Sequence, residues 1–368
     1  MSLIARIAGG LVALMIFAVV ALAIALAHDS PAGPLQPPPP GAVRMKAILY
    51  RRYGPPETLK LEEIEKPAPA PNELLIRVHD AALNPLDWHY MRGTPYIVRL
   101  QLGMGRPRRY RLGEDFSGTV AAIGPQISHF KVGDEIFGTA DGALGEYATS
   151  TEAGLAVKPA GISFAQAAAV PIAGLTALQG LRDYGHLAAG QRVLINGASG
   201  GVGTFAIQIA RSFGADVTGV CSTRNVELVR GLGAGRVIDY SKEDFTTDAQ
   251  KYDLIFDTIG NHSLGDYDRM LTPGGVVVMV GSPSYEPWLG PLVGLMKTRL
   301  MSPFLRHPAV IFFADANNTA DLETLRDLMQ AGRLVPVIDR SYPLSESAAA
   351  MRYLEQGHAR GKVIVGVQ

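Results

Sequence analysis

Residues 193–203 read Val193-Leu194-Ile195-Asn196-Gly197-Ala198-Ser199-Gly200-Gly201-Val202-Gly203, and an apolar helical pattern follows at once. An apolar strand that runs through closely spaced glycines into a helix is typical of a dinucleotide-binding turn. The glycines let the backbone approach a pyrophosphate, and the helix N-terminus offers free N–H groups to it. A structural turn without a ligand is the alternative. The candidate cofactor residues here are Ala198, Ser199, Gly200, Gly201, Val202 and Gly203.

Apolar strand-like and helical segments alternate on both sides of this loop, which predicts a doubly wound parallel sheet over residues 166–309. Residues 45–165 read mostly as strands with glycine turns. The chain ends in another strand, Lys362–Val365, so we expect residues 310–368 to complete the strand-rich domain. The fold class is therefore α/β, with a mostly-β domain beside a Rossmann domain.

The strand after the loop ends at Ser222, Thr223 and Arg224, where an NAD site usually carries an acid. No acid occupies that stretch, and hydroxyls with a guanidinium are suited to a phosphate. We therefore predict NADPH as the cofactor. The alternative is a solvated arginine that opens the next helix.

The N-terminal residues 1–44 form a separate segment. Ile7–Ala27 is apolar and uncharged over about 20 residues, enough to cross a bilayer, and a proline-rich linker with Pro37–Pro40 follows. We expect an uncleaved membrane anchor; a cleaved signal peptide and a buried globular helix are the alternatives. The enzyme domain is expected on the cytoplasmic side because of its cofactor. A second apolar segment, Tyr285–Pro308, is expected to face either lipid or substrate.

Charge and cysteine content exclude several classes of function. The 368 residues contain 34 basic and 34 acidic side chains, so we expect no nucleic-acid partner. The single cysteine, Cys221, rules out an internal disulfide and a cysteine-rich zinc site. We expect Cys221 to be a small apolar residue in a buried strand.

Several motifs together resemble the medium-chain dehydrogenase/reductase superfamily, and within it the zinc-free quinone-oxidoreductase branch. The similarity covers Met45–Gln368 and implies a GroES-like catalytic domain beside the Rossmann domain. The motifs are Asn84-Pro85-Leu86-Asp87, Leu112-Gly113-Glu114-Asp115-Phe116-Ser117-Gly118, Val132-Gly133-Asp134-Glu135-Ile136-Phe137-Gly138, Gly145-Glu146-Tyr147, Ala169-Val170-Pro171-Ile172-Ala173-Gly174-Leu175-Thr176-Ala177 and Gly361-Lys362-Val363-Ile364-Val365.

The resemblance also argues against a metal. Where zinc alcohol dehydrogenases carry a Cys ligand this chain has Asn84, and where they carry a His ligand it has Glu114. Without a Lewis acid, reduction of a quinone or an α,β-unsaturated carbonyl is an easier task than alcohol oxidation. The implied partner is thus a small quinone or enone, and a homodimer is left open.

The resemblance places Asn84 opposite the nicotinamide, where its amide could donate to an oxyanion; a buried structural asparagine is the alternative. His89 and Tyr90 lie on the same loop and could donate a proton or simply pack. Asp87 is expected to cap a helix. The resemblance assigns four further residues to the cofactor: Thr176, Tyr240, Gly281 and Ser282.

Two functions remain open from the sequence. The first is a reductase of quinones or enones. The second is a nucleotide-binding sensor or interaction module without appreciable turnover, because fold does not guarantee function.

Overall fold

The structure is a computed structural model that describes residues 3–31, 33, 39–280, 287–301 and 304–368. Its helices are α1 (Leu3–Ala27), α2 (Pro85–Arg92), α3 (Arg99–Leu102), α4 (Phe164–Ala168), α5 (Pro171–Gln179), α6 (Gly201–Ser212), α7 (Val226–Gly231), α8 (Leu264–Met270), α9 (Pro291–Met301), α10 (Thr319–Gln330) and α11 (Ser347–Glu355). Its strands are β1 (Arg44–Leu49), β2 (Lys60–Glu65), β3 (Leu74–Leu83), β4 (Asp115–Ile123), β5 (Glu135–Thr139), β6 (Tyr147–Ser150), β7 (Leu155–Val157), β8 (Arg192–Asn196), β9 (Asp216–Cys221), β10 (Arg236–Asp239), β11 (Tyr252–Asp257), β12 (Leu271–Met279), β13 (Ala309–Ile311), β14 (Ile338–Pro343) and β15 (Lys362–Gly366).

Six of these strands form a parallel sheet in the order β10-β9-β8-β11-β12-β13. The strand order reverses between β8 and β11, so the carboxyl ends of these two strands border the crevice in which such sheets bind ligands. Helices α5, α6 and α10 cover one face with a continuous apolar core, and α8 packs on the other.

The second sheet is mostly antiparallel, in the order β14-β15-β3-β4-β5-β7, and β6 also pairs with β3. Strand β15 lies near the end of the chain, yet it pairs antiparallel with β3 from the first domain. The predicted α/β fold class, a mostly-β domain beside a Rossmann domain, is confirmed.

The parallel sheet extends past residue 309, where we placed the end of the Rossmann domain, and the chain enters the second sheet only at β14. Strand β13 pairs with β12 at the edge of the parallel sheet. Helix α10 packs on α5, with Leu322 and Leu325 in the same core as Phe205. The segment that we assigned to the strand-rich domain thus contributes one helix to the Rossmann core before it reaches β14.

Gly203 sets the distance between α6 and the glycine turn. A Cβ atom at Gly203 would lie 2.1 Å from the carbonyl oxygen of Gly197, closer than any real contact. Gly197 itself has φ of +83°, a left-handed conformation that glycine adopts without cost. These two glycines let the helix begin directly above the end of β8.

Helix α1 covers the predicted membrane anchor, Ile7–Ala27. Among the residues that the structure describes, no helix combines the length and the apolarity needed to cross a membrane. The predicted transmembrane anchor therefore has no support from the structure. Residues 32 and 34–38 of the predicted proline-rich linker lie outside the described residues.

Arg99, whose side chain is 2% exposed, binds the carboxyl end of α1 to the rest of the protein. Its Nη1 donates to the carbonyl oxygen of Leu26 (2.8 Å) and forms an ion pair with Asp29 (2.9 Å). The guanidinium also lies over the rings of Tyr53 and Tyr96, at 4.3 and 4.7 Å. Because free carbonyls end every helix, this cation acts as a cap supplied from another part of the chain.

Gly203→Ala should destabilise the protein by about 1–3 kcal/mol, because the added methyl group forces α6 away from the turn. Gly231→Ala is the matched control, since a Cβ on that helical glycine meets nothing within 4 Å. It should leave stability unchanged or raise it by up to about 1 kcal/mol. Urea unfolding of both variants measures the difference. A Gly203→Ala midpoint equal to that of the wild type would contradict the close approach.

Candidate active site

The glycine loop forms the centre of the site. It leaves β8 at Asn196 and enters α6 at Gly200, which is the N-cap residue of that helix. Ala198 is fully buried, and its Cβ would lie 3.1 Å from a Cβ added to Gly219 of β9. Ala198 therefore packs beneath the loop, which leaves Ser199, Gly200 and the helix N-terminus to face a ligand.

A second segment holds the loop from outside. The N–H of Gly361 donates to the carbonyl oxygen of Ser199 at 2.9 Å, and Gly361 also forms a bridge with Gly200. Asn225 donates to the Ser199 hydroxyl at 2.9 Å, but its own Oδ1 is buried and has no hydrogen-bond donor in the described part of the chain. An unpaired buried acceptor is costly, and a hydroxyl of a bound nucleotide would satisfy it. The loop therefore fits a dinucleotide.

The structure brings Thr223, Arg224 and Tyr240 to the carboxyl ends of β9 and β10. Arg224 is exposed and donates from Nη2 to the carbonyl oxygen of His358 at 2.7 Å, and Tyr240 is 58% exposed. Ser222 is half-buried and accepts from Asn225 at 3.2 Å.

Sequence reasoning missed an acid at this edge. Asp239 ends β10, and its carboxylate accepts from the Thr223 hydroxyl at 2.6 Å and pairs with Lys242 at 3.3 Å. These donors, the Thr223 hydroxyl first, lower the pKa of Asp239. An NAD site usually carries an acid at the end of β9, and here the nearest acid is Asp239 on the neighbouring strand β10. Its carboxylate oxygens already bond to Thr223 and Lys242.

The other predicted cofactor residues are spread around the crevice. Thr176 is half-buried in α5, and its hydroxyl donates to the carbonyl oxygen of Ile172 at 2.7 Å. Val202 lies half-buried in the first turn of α6. Gly281 and Ser282 lie outside the described residues.

Asn84 is the centre of a buried polar cluster. Its Oδ1 accepts from the ammonium of Lys362 at 2.5 Å, and its Nδ2 donates to Asp115 at 2.9 Å. Lys362 and Asp115 form an ion pair at 3.2 Å, and the N–H of Ile172 donates to the other carboxylate oxygen at 3.1 Å. Burial raises the pKa of Asp115, and the Lys362 cation and the N–H donors oppose that rise. The cluster thus joins β4, β15, α5 and the residue that precedes α2.

Two more acids lie close to this cluster. Asp87 accepts from the N–H of Asn84 at 2.7 Å, which is the helix-capping role that we predicted for it. Burial raises the pKa of Asp87 to about 7. Burial, reinforced by the charges of Asp87, Asp115 and Asp141, raises the pKa of Glu114 to about 8. At neutral pH the Glu114 carboxyl therefore holds a proton.

His89 and Tyr90 lie on α2 beside these groups. The Nδ1 of His89 is 2.7 Å from the carbonyl oxygen of Thr94, its ring stacks on Trp88, and burial lowers its pKa. The imidazole is therefore neutral at pH 7. Burial, together with the Glu114 carboxyl, raises the pKa of Tyr90 to about 12. Tyr90 thus keeps its phenolic proton next to the protonated Glu114.

Comparison with known proteins identifies the family. Residues 70–180 match the alcohol dehydrogenase GroES-like domain, and residues 232–365 match the zinc-binding dehydrogenase domain. The chain is 33% identical to the mouse (Mus musculus) protein named NAD(P)H oxidoreductase RTN4IP1, mitochondrial, over 88% of this chain and 89% of that protein. This chain belongs to the medium-chain dehydrogenase/reductase superfamily.

Other members of the superfamily are equally similar. The NADPH-dependent alkenal/one oxidoreductase of Arabidopsis thaliana chloroplasts is 34% identical over 87% of this chain and 79% of that protein. The structure of the quinone oxidoreductase from Coxiella burnetii superposes with a TM-score of 0.76, covering 89% of this chain and 100% of that one, at 31% identity. The predicted superfamily is therefore confirmed.

The name of one matched domain mentions zinc, which raises the question of a metal. Among the residues described here, no three His, Cys, Asp or Glu side chains are grouped so that they could hold a metal ion. The ammonium of Lys362 lies 2.5 Å from Oδ1 of Asn84. A fixed cation at that point repels a second cation.

Sequence reasoning quoted Glu114, Asp115 and Lys362 as superfamily motifs but gave none of them a catalytic or positioning role. One available signal was a charged residue at the start of an apolar strand, as in Lys362-Val363-Ile364-Val365 and Asp115-Phe116-Ser117-Gly118. Charged side chains are seldom buried without a partner. Two such strands with opposite charges predict an ion pair, although they do not predict that Asn84 joins it.

The raised pKa of Glu114 predicts a pH-dependent stability. Between about pH 4.5 and pH 8 the folded protein keeps a proton that the unfolded chain releases, so stability falls as the pH rises through this window. Glu114→Gln removes that titration, and its free energy of unfolding should decline less between pH 5 and pH 9. Urea unfolding at pH 5, 7 and 9 measures this. Glu65→Gln changes an exposed side chain of β2, so its free energy of unfolding should vary with pH as in the wild type. The same pH dependence of the unfolding free energy in all three proteins would contradict the prediction.

Proposed function

We propose that this protein is an NADPH-dependent, zinc-independent reductase that transfers a hydride to a quinone or an α,β-unsaturated carbonyl. The observation that carries the proposal is the contact between the glycine loop and the Asn84 cluster. A Cβ on Gly201 would lie 3.3 Å from Cδ of Lys362. Groups that can stabilise a developing anion therefore lie directly beside a loop that fits a dinucleotide. The names of the relatives, which include quinone and alkenal/one oxidoreductases, support this acceptor class.

NADPH, when bound, supplies the hydride from C4 of its nicotinamide. The protein must then stabilise the negative charge that appears on the acceptor oxygen. One Nδ2 hydrogen of Asn84 is directed to Asp115, and the second is available to an oxyanion. The protonated Glu114 and the phenol of Tyr90 can hold the proton that the reduced acceptor needs.

A metal is not required for this chemistry. An enolate or a hydroquinone anion is delocalised, so hydrogen bonds and a nearby cation suffice to stabilise it. Lys362, buried against Asn84, supplies that cation from within the chain. The alternative function, a nucleotide-binding sensor with little turnover, uses the same glycine loop and differs only in the absence of a reducible acceptor.

A kinetic screen tests the proposal. Purified protein should oxidise NADPH in the presence of a panel of quinones and enones, and should retain that activity after exhaustive chelation. NADPH binding without turnover of any acceptor would favour the sensor. Zinc bound at one ion per chain, with activity lost when it is removed, would contradict zinc independence.

Arg224 should set the preference for NADPH over NADH. The two cofactors differ only in the phosphate on the adenosine ribose, and Arg224 is the exposed cation that follows β9. A charge-assisted hydrogen bond contributes about 1.5–3 kcal/mol, so Arg224→Ala should lower kcat/KM for NADPH about tenfold or more and leave that for NADH nearly unchanged.

Arg230→Ala is the control for this experiment. Arg230 lies on α7, close to Arg224 in the chain, and forms an exposed ion pair with Glu227. Arg230→Ala should leave kcat/KM unchanged for both NADPH and NADH. If Arg224→Ala keeps the full preference for NADPH, Arg224 is not the phosphate ligand.

A further inference from the structure

We propose that Lys362 is a positioning residue that couples the nucleotide loop to Asn84, so that the cofactor and the acceptor-binding amide are aligned by one side chain. This inference rests on the proposed reductase function. It assigns Lys362 a task beyond neutralising a buried acid.

The ammonium of Lys362 lies where water does not reach it. The residue is 3% exposed, Asp115 is fully buried and Asn84 is 3% exposed. A buried ammonium is stable only when oxygens surround it. Two of its hydrogens have named acceptors, Oδ1 of Asn84 at 2.5 Å and Oδ2 of Asp115 at 3.2 Å. The carboxylate alone could balance the charge, yet the shorter contact is to the neutral amide.

The rest of Lys362 contacts the nucleotide loop. Its Cδ atom lies beside Gly201, where a Cβ would approach it to 3.3 Å. The preceding residue, Gly361, donates its N–H to Ser199 of the same loop. Gly361 has φ of +86°, and a Cβ there would lie 2.3 Å from the carbonyl oxygen of Val337. The main chain at Gly361 and the side chain of Lys362 therefore hold the loop and Asn84 in one fixed relation.

The contact also determines how the amide of Asn84 is turned. Because Oδ1 accepts from the ammonium, the amide cannot flip, and Nδ2 stays a donor with one of its hydrogens on Asp115. An ammonium on an amide oxygen polarises the amide and strengthens its N–H as a donor. Without Lys362, the amide could rotate and present its oxygen to a developing oxyanion, which it would repel.

The experiment uses a charge-free pair of substitutions, because Lys362→Met alone would leave Asp115 buried and unpaired. Lys362→Met/Asp115→Asn keeps the lysine's apolar stem and removes both charges. We expect kcat with the best acceptor to fall at least about tenfold, and the Kd for NADPH to stay within about threefold of the wild type. Lys131→Met, on an exposed lysine of the strand-rich domain, is the control and should change neither value.

A double-mutant cycle separates positioning from a merely structural role. Asn84→Ala alone should lower kcat on the order of 10²-fold. Combining it with the charge-free pair should lower kcat no further than Asn84→Ala does alone, because the effects of groups that act as one unit are not additive. A full additional loss, or normal turnover in the charge-free variant, would overturn the proposal. If circular dichroism shows that variant unfolded, Lys362→Arg decides. Lost kcat with retained NADPH affinity supports positioning, and parallel loss of both overturns it.

Hydrogen exchange tests the coupling without turnover. In the wild type, NADPH should slow exchange both in the nucleotide loop and in residues 84–92. In the charge-free variant it should protect only the loop. Protection of residues 84–92 in both proteins, or in neither, would overturn the coupling. A wild type that shows the coupled protection but reduces no acceptor would contradict the proposed function and leave the coupling intact.

Discussion

The buried ammonium of Lys362 must be matched by oxygens wherever the chain places it, and this requirement organises the whole site. Its acceptors, Asn84 and Asp115, lie on the strand-rich domain, while its stem and the neighbouring Gly361 lie against the nucleotide loop. The charge is therefore satisfied within the strand-rich domain, while the nucleotide loop packs against the apolar stem of the same side chain. Any movement that opens the crevice at this point would break the hydrogen bond from Gly361 to Ser199 and the packing of the Lys362 stem on Gly201, so these contacts hold the two domains in register.

The nucleotide loop could be predicted because its physics is local. Gly197, Gly200 and Gly203 lie within one turn, and the positive φ of Gly197 and the 2.1 Å approach of Gly203 are set by neighbours in sequence. Strand alternation predicted the parallel sheet for the same reason. The division at residue 309 was harder, because α10 follows the last strand of the Rossmann sheet yet packs back onto α5. Nothing in the periodicity of α10 says which core it covers.

The cluster around Asn84 could not be predicted in this way, because its members come from distant parts of the chain. Lys362 lies 278 residues from Asn84 and 247 from Asp115. The sequence identified Asn84 through family resemblance, but its hydrogen-bond partners follow only from the pairing of β15 with β3. Asp239 illustrates the same limit, since it reaches Thr223 across parallel strands rather than along one. Exposed pairs within a helix, such as Arg230 with Glu227, are by contrast visible from spacing alone.

The contacts of Arg99 with the carboxyl end of α1 determine which sequence changes the N-terminal region can accept. Apart from Asp29, its acceptors on this segment are main-chain carbonyl oxygens, those of Leu26 and His28, so side chains there can vary without loss of the bonds. Length cannot vary as freely. Each residue added to a helix rotates the adjoining chain by about 100° around the helix axis and advances it by about 1.5 Å. One residue inserted between Leu26 and Asp29 would therefore move the Leu26 carbonyl away from the guanidinium. The Arg99 contacts therefore tolerate side-chain substitutions but not insertions, and they fix the direction in which α1 leaves the enzyme.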